Sequence, residues 1–475
     1  MKKNNHHILH QVNIEINTLD EKTAFQIRKR IDSFLNEDLF PKVERLFDQM
    51  ASPEEIQRFE SIQMEFELKH ADDIDLLAEQ FVTQIKEKIE FADSEISDFQ
   101  GDGNKVEHSN LLKNNQQQRQ PAETALADAP LRRESITYES NLKNTFIYFI
   151  ETGQLPWFAI PEILDEFLLP VHFNKALNDK RFIGQLKELF RIKPEVLQRF
   201  VLQFKPEPVE ALLILLTSET GIPHKKLISL ITAQKPTIRT ALYQLIISKL
   251  IDQQYQIAPD IVQHIQSGQQ MNQQLKEIFG TTNFDSINQS ENEQSNYNKP
   301  EIRQQKEKCN NQIYIRNAGL ILAHPFFREL FKRAGCVSGN EFISAEKQLY
   351  AVHLLHYLSS GNEQQMEYNL TFEKYLCGMS PVMPIDRNIE LLEHDKQECD
   401  DLLNSIISNW VALKNTSSEG LRQNFFLRDG KLDLQKSSPK LYIERKSFDL
   451  LLEQLPWNIS MVKLPWMNDL LLVEW

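Results

Sequence analysis

The sequence predicts a mainly α, multidomain protein with small α+β parts, and three observations carry that prediction. At 475 residues the chain exceeds one ordinary core, and roughly 100–200 residues per domain implies several domains. Apolar residues recur at three- and four-residue spacing over most of the chain, with prolines at the boundaries of these runs. Glycine is scarce, at 14 residues, which argues against a β-sandwich or an enzyme built on tight glycine-rich turns.

The first 90 residues read as a small α+β module. Ile8, His10, Val12, Ile14 and Ile16 alternate along one face, a strand pattern. Helical spacing follows over Thr23–Leu35 and Leu39–Met50. A second alternation, Ile62, Met64, Phe66 and Leu68, leads into a helix carrying Ile74, Leu77, Phe81, Ile85 and Ile89. The order is β-α-α-β-α. Residues 91–137 then lose the pattern, and their Gly, Asn and Gln content predicts a polar linker.

Residues 138–280 predict a helical domain, an array of short antiparallel helices. Phe146, Phe149, Phe167, Leu186, Phe190, Phe200 and Leu216 sit on its apolar faces, and prolines 156, 161, 170, 194, 206, 208, 223 and 236 mark helix ends. No fixed repeat period emerges. Residues 281–310 form a second polar linker. Residues 311–475 predict a C-terminal, mainly helical docking domain ending in short strands.

Composition excludes several function classes. A net charge of −14 and the lack of any long basic run argue against a nucleic-acid partner. No apolar run approaches the ~20 residues that cross a bilayer, and the N-terminus lacks a signal-peptide pattern. Cys309, Cys336, Cys377 and Cys399 show no CxxC spacing, so neither a disulfide framework nor a zinc ribbon follows, and synthesis in a reducing cytoplasm is expected.

Catalytic signals are weak. Walker, GxGxxG and GxSxG motifs are absent, so no cofactor is expected. His353 and His356 form an HxxH pair, but the glutamate of HExxH is missing and leucines flank both, which favours core-edge histidines. Gly335 reads as a left-handed helix cap before Cys336. Acidic residues such as Glu363, Glu367, Asp400 and Asp401 fall on predicted solvent faces. The chain reads as a protein without catalytic, cofactor-binding or metal residues.

One motif stands out: Leu-Pro-Trp occurs at 155–157, 455–457 and 464–466, with Trp410 and Trp475 the remaining tryptophans. Proline fixes the backbone while tryptophan offers a large anchor with one donor, so each unit predicts a rigid elbow that either packs internally or docks a partner.

The segment Ile315–Phe326, with Asn317-Ala318-Gly319-Leu320 and His324-Pro325-Phe326, resembles the opening "NAGL-x-L-x-HPF" stretch of contractile injection system tape-measure proteins. Also similar to that family are Glu346–Tyr357, Tyr375–Gly378, Trp410–Ser417, Gly420–Arg422 and the ending from Gln454 through Trp457 and Trp466 to Trp475. Ile8–Glu15 and Gly153–Trp157 match as well. The resemblance implies a structural component of a phage-tail-like particle, associated with inner-tube assembly and tail length. It implies partners among tail tube, baseplate or cap proteins, with self-association a further possibility, in a particle that is either released from the cell or anchored to it. An assembly chaperone or cargo adaptor absent from the finished particle is the alternative. Docking or packing roles are assigned to Trp157, Asn317, Gly319, His324, Pro325, Trp410, Trp457, Trp466 and Trp475. A fully helical chain of this length would reach only about 700 Å at ~1.5 Å per residue. The prolines exclude one continuous rod, so extension would need a string of modules or several copies.

Overall fold

A computed structural model describes residues 7–9, 12, 14–18, 20–50, 55–59, 62, 64–66, 74, 77–99, 133–218, 222–252, 312–434 and 438–475. The chain divides into two compact units, Met1–Leu142 and Lys143–Trp475. Most of both linkers and residues 253–280 lie outside the described residues.

In the first unit, Asp20 caps helix α1 (Glu21–Ser33) by accepting from the Thr23 amide at 2.8 Å. A π turn over Phe34–Leu39 joins α1 to α2 (Phe40–Met50). The wider turn accommodates Pro41, which has no N–H for the ordinary ladder. Ile27, Phe34, Leu39, Val43 and Leu46 form one buried face. Against it pack Ile74 and the Ala78, Ile85 and Ile89 face of α3 (Leu77–Phe99).

Among the described residues the strands fall elsewhere than the alternation suggests, and His10 and Leu68 of that pattern lie outside the described residues. Among the described residues of 8–16 and 62–68 there is no strand. Ile8, Val12 and Ile14 are exposed, while Ile62 and Met64 pack on the helices as irregular chain. The pairing is instead between β1 (Glu55–Phe59) and β2 (Arg133–Thr137), antiparallel, with Ile56 opposite Ile136 and the Ser135 hydroxyl donating to Glu55 at 3.0 Å. Local periodicity cannot choose between candidate strands when the partner lies almost eighty positions away behind polar sequence. The polar stretch that begins at 91 is therefore helical to Phe99 and returns to a strand at Arg133.

The second unit opens with α4 (Tyr138–Thr152, which begins in the first unit) and continues through α5 (Glu162–Phe167), α6 (Pro170–Leu177), α7 (Lys180–Ile192) and α8 (Pro194–Gln203). Three further helices follow: α9 (Pro206–Ser218), α10 (His224–Thr232) and α11 (Pro236–Ile251). Four of these helices start on a proline, where the missing N–H costs no ladder bond. Phe146 centres their core, with ring centroids 4.8 Å from Phe167 and 5.6 Å from Phe204.

Beyond residue 311, a five-stranded sheet stands in the order β3 (Gln312–Ile315), β6 (Gly430–Asp433), β7 (Lys440–Ile443), β9 (Leu471–Glu474), β8 (Met461–Val462), with only β7 and β9 parallel. A separate small pair, β4 (Val337–Ser338) with β5 (Glu341–Phe342), follows helix α12 (Phe327–Arg333). Alternation puts Ile313, Ile315, Leu432, Leu441 and Val473 inside and Tyr314, Lys431, Tyr442 and Glu474 along the other face. The inner face covers helix α13 (Ala345–Ser360), which is apolar nearly all round and correspondingly buried, and helix α15 (Glu393–Asn409). Between them lies the short α14 (Thr371–Leu376).

A 3-10 helix, Ala318–Phe326, links β3 to α12, and its first six residues are buried. Gly319 has a steric reason: a Cβ there would stand 1.7 Å from the Phe425 carbonyl oxygen. All five tryptophans lie in this second unit, so indole fluorescence reports its unfolding alone. Gly319→Ala should lower its stability by about 2–3 kcal/mol, because backbone rather than a flexible side chain must move. An unchanged urea midpoint in indole fluorescence would contradict that close approach.

Candidate functional site

Helix α8 carries Arg199 and Gln203 on the face that also buries Val196 and Phe200. A 3-10 turn, Glu367–Asn369, brings Glu367 against them. Arg199 Nε donates to Glu367 Oε2 at 2.9 Å, and Lys374 Nζ donates to Glu367 Oε1 at 2.8 Å. All three side chains are fully buried. Burial lowers the Lys374 ammonium below its ordinary value, and Glu367 pulls it back up.

Most of the other donors are spent on backbone. Arg199 Nη1 reaches the carbonyls of Ile150 at 2.7 Å and Glu151 at 3.1 Å, and Nη2 reaches that of Val382. Lys374 Nζ also holds the Met383 carbonyl at 3.0 Å. Gln203 accepts from the Glu367 amide at 2.8 Å and donates to the Ile385 carbonyl at 2.6 Å. Gly153, at φ +74°, leaves room for this cluster, since a Cβ there would lie 2.3 Å from Glu367 Oε1. Helices 143–251 and the fold beyond residue 311 are thus joined through one buried ionic network. Glu367, expected on a solvent face, is instead its centre, and this is a correction. Asp400 pairs with Arg422 at 3.0 Å and Glu363 with Lys396 at 2.9 Å.

A second polar group lies close by. Asn317 Nδ2 donates to Glu373 Oε1 at 2.6 Å, and His356 Nδ1 reaches the same oxygen at 2.8 Å. The Ala318 amide donates to the Arg428 carbonyl at 2.9 Å. The Asn317-Ala318-Gly319 stretch therefore joins β3, α14 and the Phe425–Arg428 chain. His324 is half-buried with Nδ1 2.9 Å from the Ile321 carbonyl, and burial lowers its pKa. Pro325 is exposed within the 3-10 helix.

Four tryptophans serve as internal braces. Trp410, fully buried, donates to the Leu451 carbonyl at 3.0 Å, and Trp457 to that of Leu322 at 2.9 Å. Trp466 donates to the Leu376 carbonyl at 2.8 Å, where Gly378 at φ +74° lets its backbone approach. Trp475 donates to Asp449 at 3.0 Å, a carboxylate that also pairs with buried Arg428 at 2.7 Å through its other oxygen. Trp157 differs, standing 41% exposed at an elbow with its ring edge-on to Phe158.

The HxxH imidazoles do not converge. His353 Nε2 lies 2.8 Å from the Asp386 carbonyl, so Nε2 carries the proton, while His356 turns to Glu373. No group of three potential metal ligands occurs among the described residues. Cys336 is buried with its thiol pushed up to about 11, the wrong direction for a nucleophile. Sequence reasoning missed Arg199, Gln203, Glu373 and Lys374. Their signal is charge on an apolar face: Arg199 falls between Val196 and Phe200, and Glu373 and Lys374 between Phe372 and Leu376.

Compared with protein families, the chain matches the description "contractile injection system tape measure protein" over residues 6–475. The chain belongs to the contractile injection system tape measure family. Its role is accordingly structural, in tail assembly and length determination, and membership implies interaction with tail tube components. No curated protein and no solved structure matches this tape measure family member. Among its described residues, no helix is long and apolar enough to cross a membrane.

Glu367→Leu should destabilise the tryptophan-bearing unit by about 3–5 kcal/mol, because two buried cations lose their counter-charge. A loss under about 1 kcal/mol in chemical denaturation would show the network to be dispensable. His353 gives a pH signature, its folded value being pushed from 6.5 down to about 4 by burial. As pH falls through that window the unfolded state binds the proton first, so stability drops, by about 3 kcal/mol in total. His353→Gln should flatten this part of the pH–stability curve, and an unaltered slope would contradict the assignment.

Proposed function

We propose that the chain acts without catalysis, as a retained part of a phage-tail-like particle. In this reading its second unit docks on tail tube, baseplate or cap proteins, and the particle is released from the cell after cytoplasmic assembly. The observation that carries the reading is the family match across residues 6–475. The structure supports it in kind. The buried charges of the second unit bond to one another and to backbone carbonyls, leaving braces where an enzyme would gather reactive groups. The thiols of Cys336, Cys377 and Cys399 are buried and raised in pKa.

In this account the length of the chain contributes to tail length, with the β1–β2 pair parting as the chain extends inside the tube. Duplicating residues 100–132 in frame should lengthen assembled tails as seen by electron microscopy, and tails of unaltered length would sink this measuring mechanism. Mass spectrometry of purified particles should find the full chain at a fixed ratio to tube subunits. Its absence would favour an assembly chaperone or cargo adaptor.

A further inference from the structure

Three carbonyls of one surface turn, those of Val382, Met383 and Ile385, are each held from beneath by a buried side chain: Arg199, Lys374 and Gln203 respectively. The turn itself is closed by the Met383 amide donating to the Ser380 carbonyl at 3.1 Å, and Pro381 and Pro384 flank its tip. Outward it shows Val382, 37% exposed, and Met383, 45% exposed, while Pro384 and Ile385 are buried as its root.

We propose that the Ser380–Pro384 turn is a preformed apolar knob that docks into an apolar cleft of a tail tube component. The inference deepens the assembly reading and rests on it. An exposed loop does not need such support, because water satisfies its carbonyls. Burying two cations and a carboxylate to do so costs stability against an apolar core, so the arrangement has a different consequence. With the tip carbonyls bonded inward, a partner closing over Val382 and Met383 strips water from side chains and not from these backbone acceptors. Two prolines and three tethers also remove the ordering cost of a mobile loop. Methionine adapts to the contour of an apolar cleft.

The chemistry fits a dry protein cleft and not a polyanion, since neither tip side chain carries charge. Tail tube components are the occupants that family membership supplies. The same guanidinium fixes the end of α4 that leads through Gly153 to the exposed Trp157 elbow, so the roots of both projections share one support.

The test uses full-length protein and the purified tail tube subunit of the same system, with affinity measured by titration. Val382→Asp combined with Met383→Asp should weaken binding by about tenfold or more. Binding is compared once the urea midpoint in indole fluorescence matches the wild type, and Met383→Asp alone, at the 45% exposed position, serves where Val382→Asp disturbs the fold. Ile343→Asp, at a position 58% exposed on another part of the unit, should bind as wild type. Unchanged affinity in the double variant would overturn the knob and leave the assembly reading intact. Equal loss in the Ile343 variant, or loss only of self-association, would also overturn it. A wild-type chain with no affinity for the tube subunit would overturn both the knob and the docking reading.

Discussion

Glu367 is the residue on which the second unit depends. One carboxylate placed out of water between a guanidinium and an ammonium is tolerable only where the other donors of both cations also find acceptors, and backbone carbonyls from the surrounding chain supply most of these. The end of α4, the α8 face, the 3-10 turn at Glu367, α14 and the Val382–Ile385 stretch are all fixed relative to one another by the demands of these three charges. A glycine at 153 follows from the same constraint, since any side chain there would occupy the carboxylate's place. An apolar core would hold these elements as tightly, but it would tolerate sliding. Charges with directional partners set a register.

The tryptophans extend the same logic outward. Trp410, Trp457, Trp466 and Trp475 each place an indole N–H on an acceptor from a different segment, so the short C-terminal strands and turns are tied to helices that could not hold them by periodic packing alone. Leu-Pro-Trp suits this work because proline presents the ring from a fixed backbone. Of the three such elbows, the one at 155–157 leaves its ring at the surface. A structural protein that must be recognised by others needs both kinds: rings that finish its own interior and a few apolar groups held outward on rigid roots.

Much of this was legible in the sequence, and the limits are physical. Helices were readable because a 3.6-residue period is local, and the prolines at 170, 194, 206 and 236 marked four starts. Strand pairing in the first unit was not, because Glu55–Phe59 finds its partner at Arg133–Thr137, across sequence that carries no pattern. Gly319 and Asn317 were visible as members of a motif, yet their reasons, a carbonyl at contact distance and a shared glutamate, exist only in three dimensions. The ionic network was hardest, since Glu367 has polar neighbours such as Gln364, Gln365 and Asn369 and looks like any solvated acid. Arg199 and Lys374, set among phenylalanines and leucines, carry the one signal of that network present in the sequence, a charge on an apolar face.

The central claim is that helices 143–251 and the fold beyond residue 311 are one body, joined by Glu367 and its partners. It is tested most directly by inserting a protease site within residues 281–310, cleaving the native full-length protein, and applying the product to gel filtration. The account predicts that the two fragments elute together at the position of the uncut chain. It further predicts that they part when the cut is made in the Glu367→Leu variant. Fragments that separate from the cleaved wild type would contradict it.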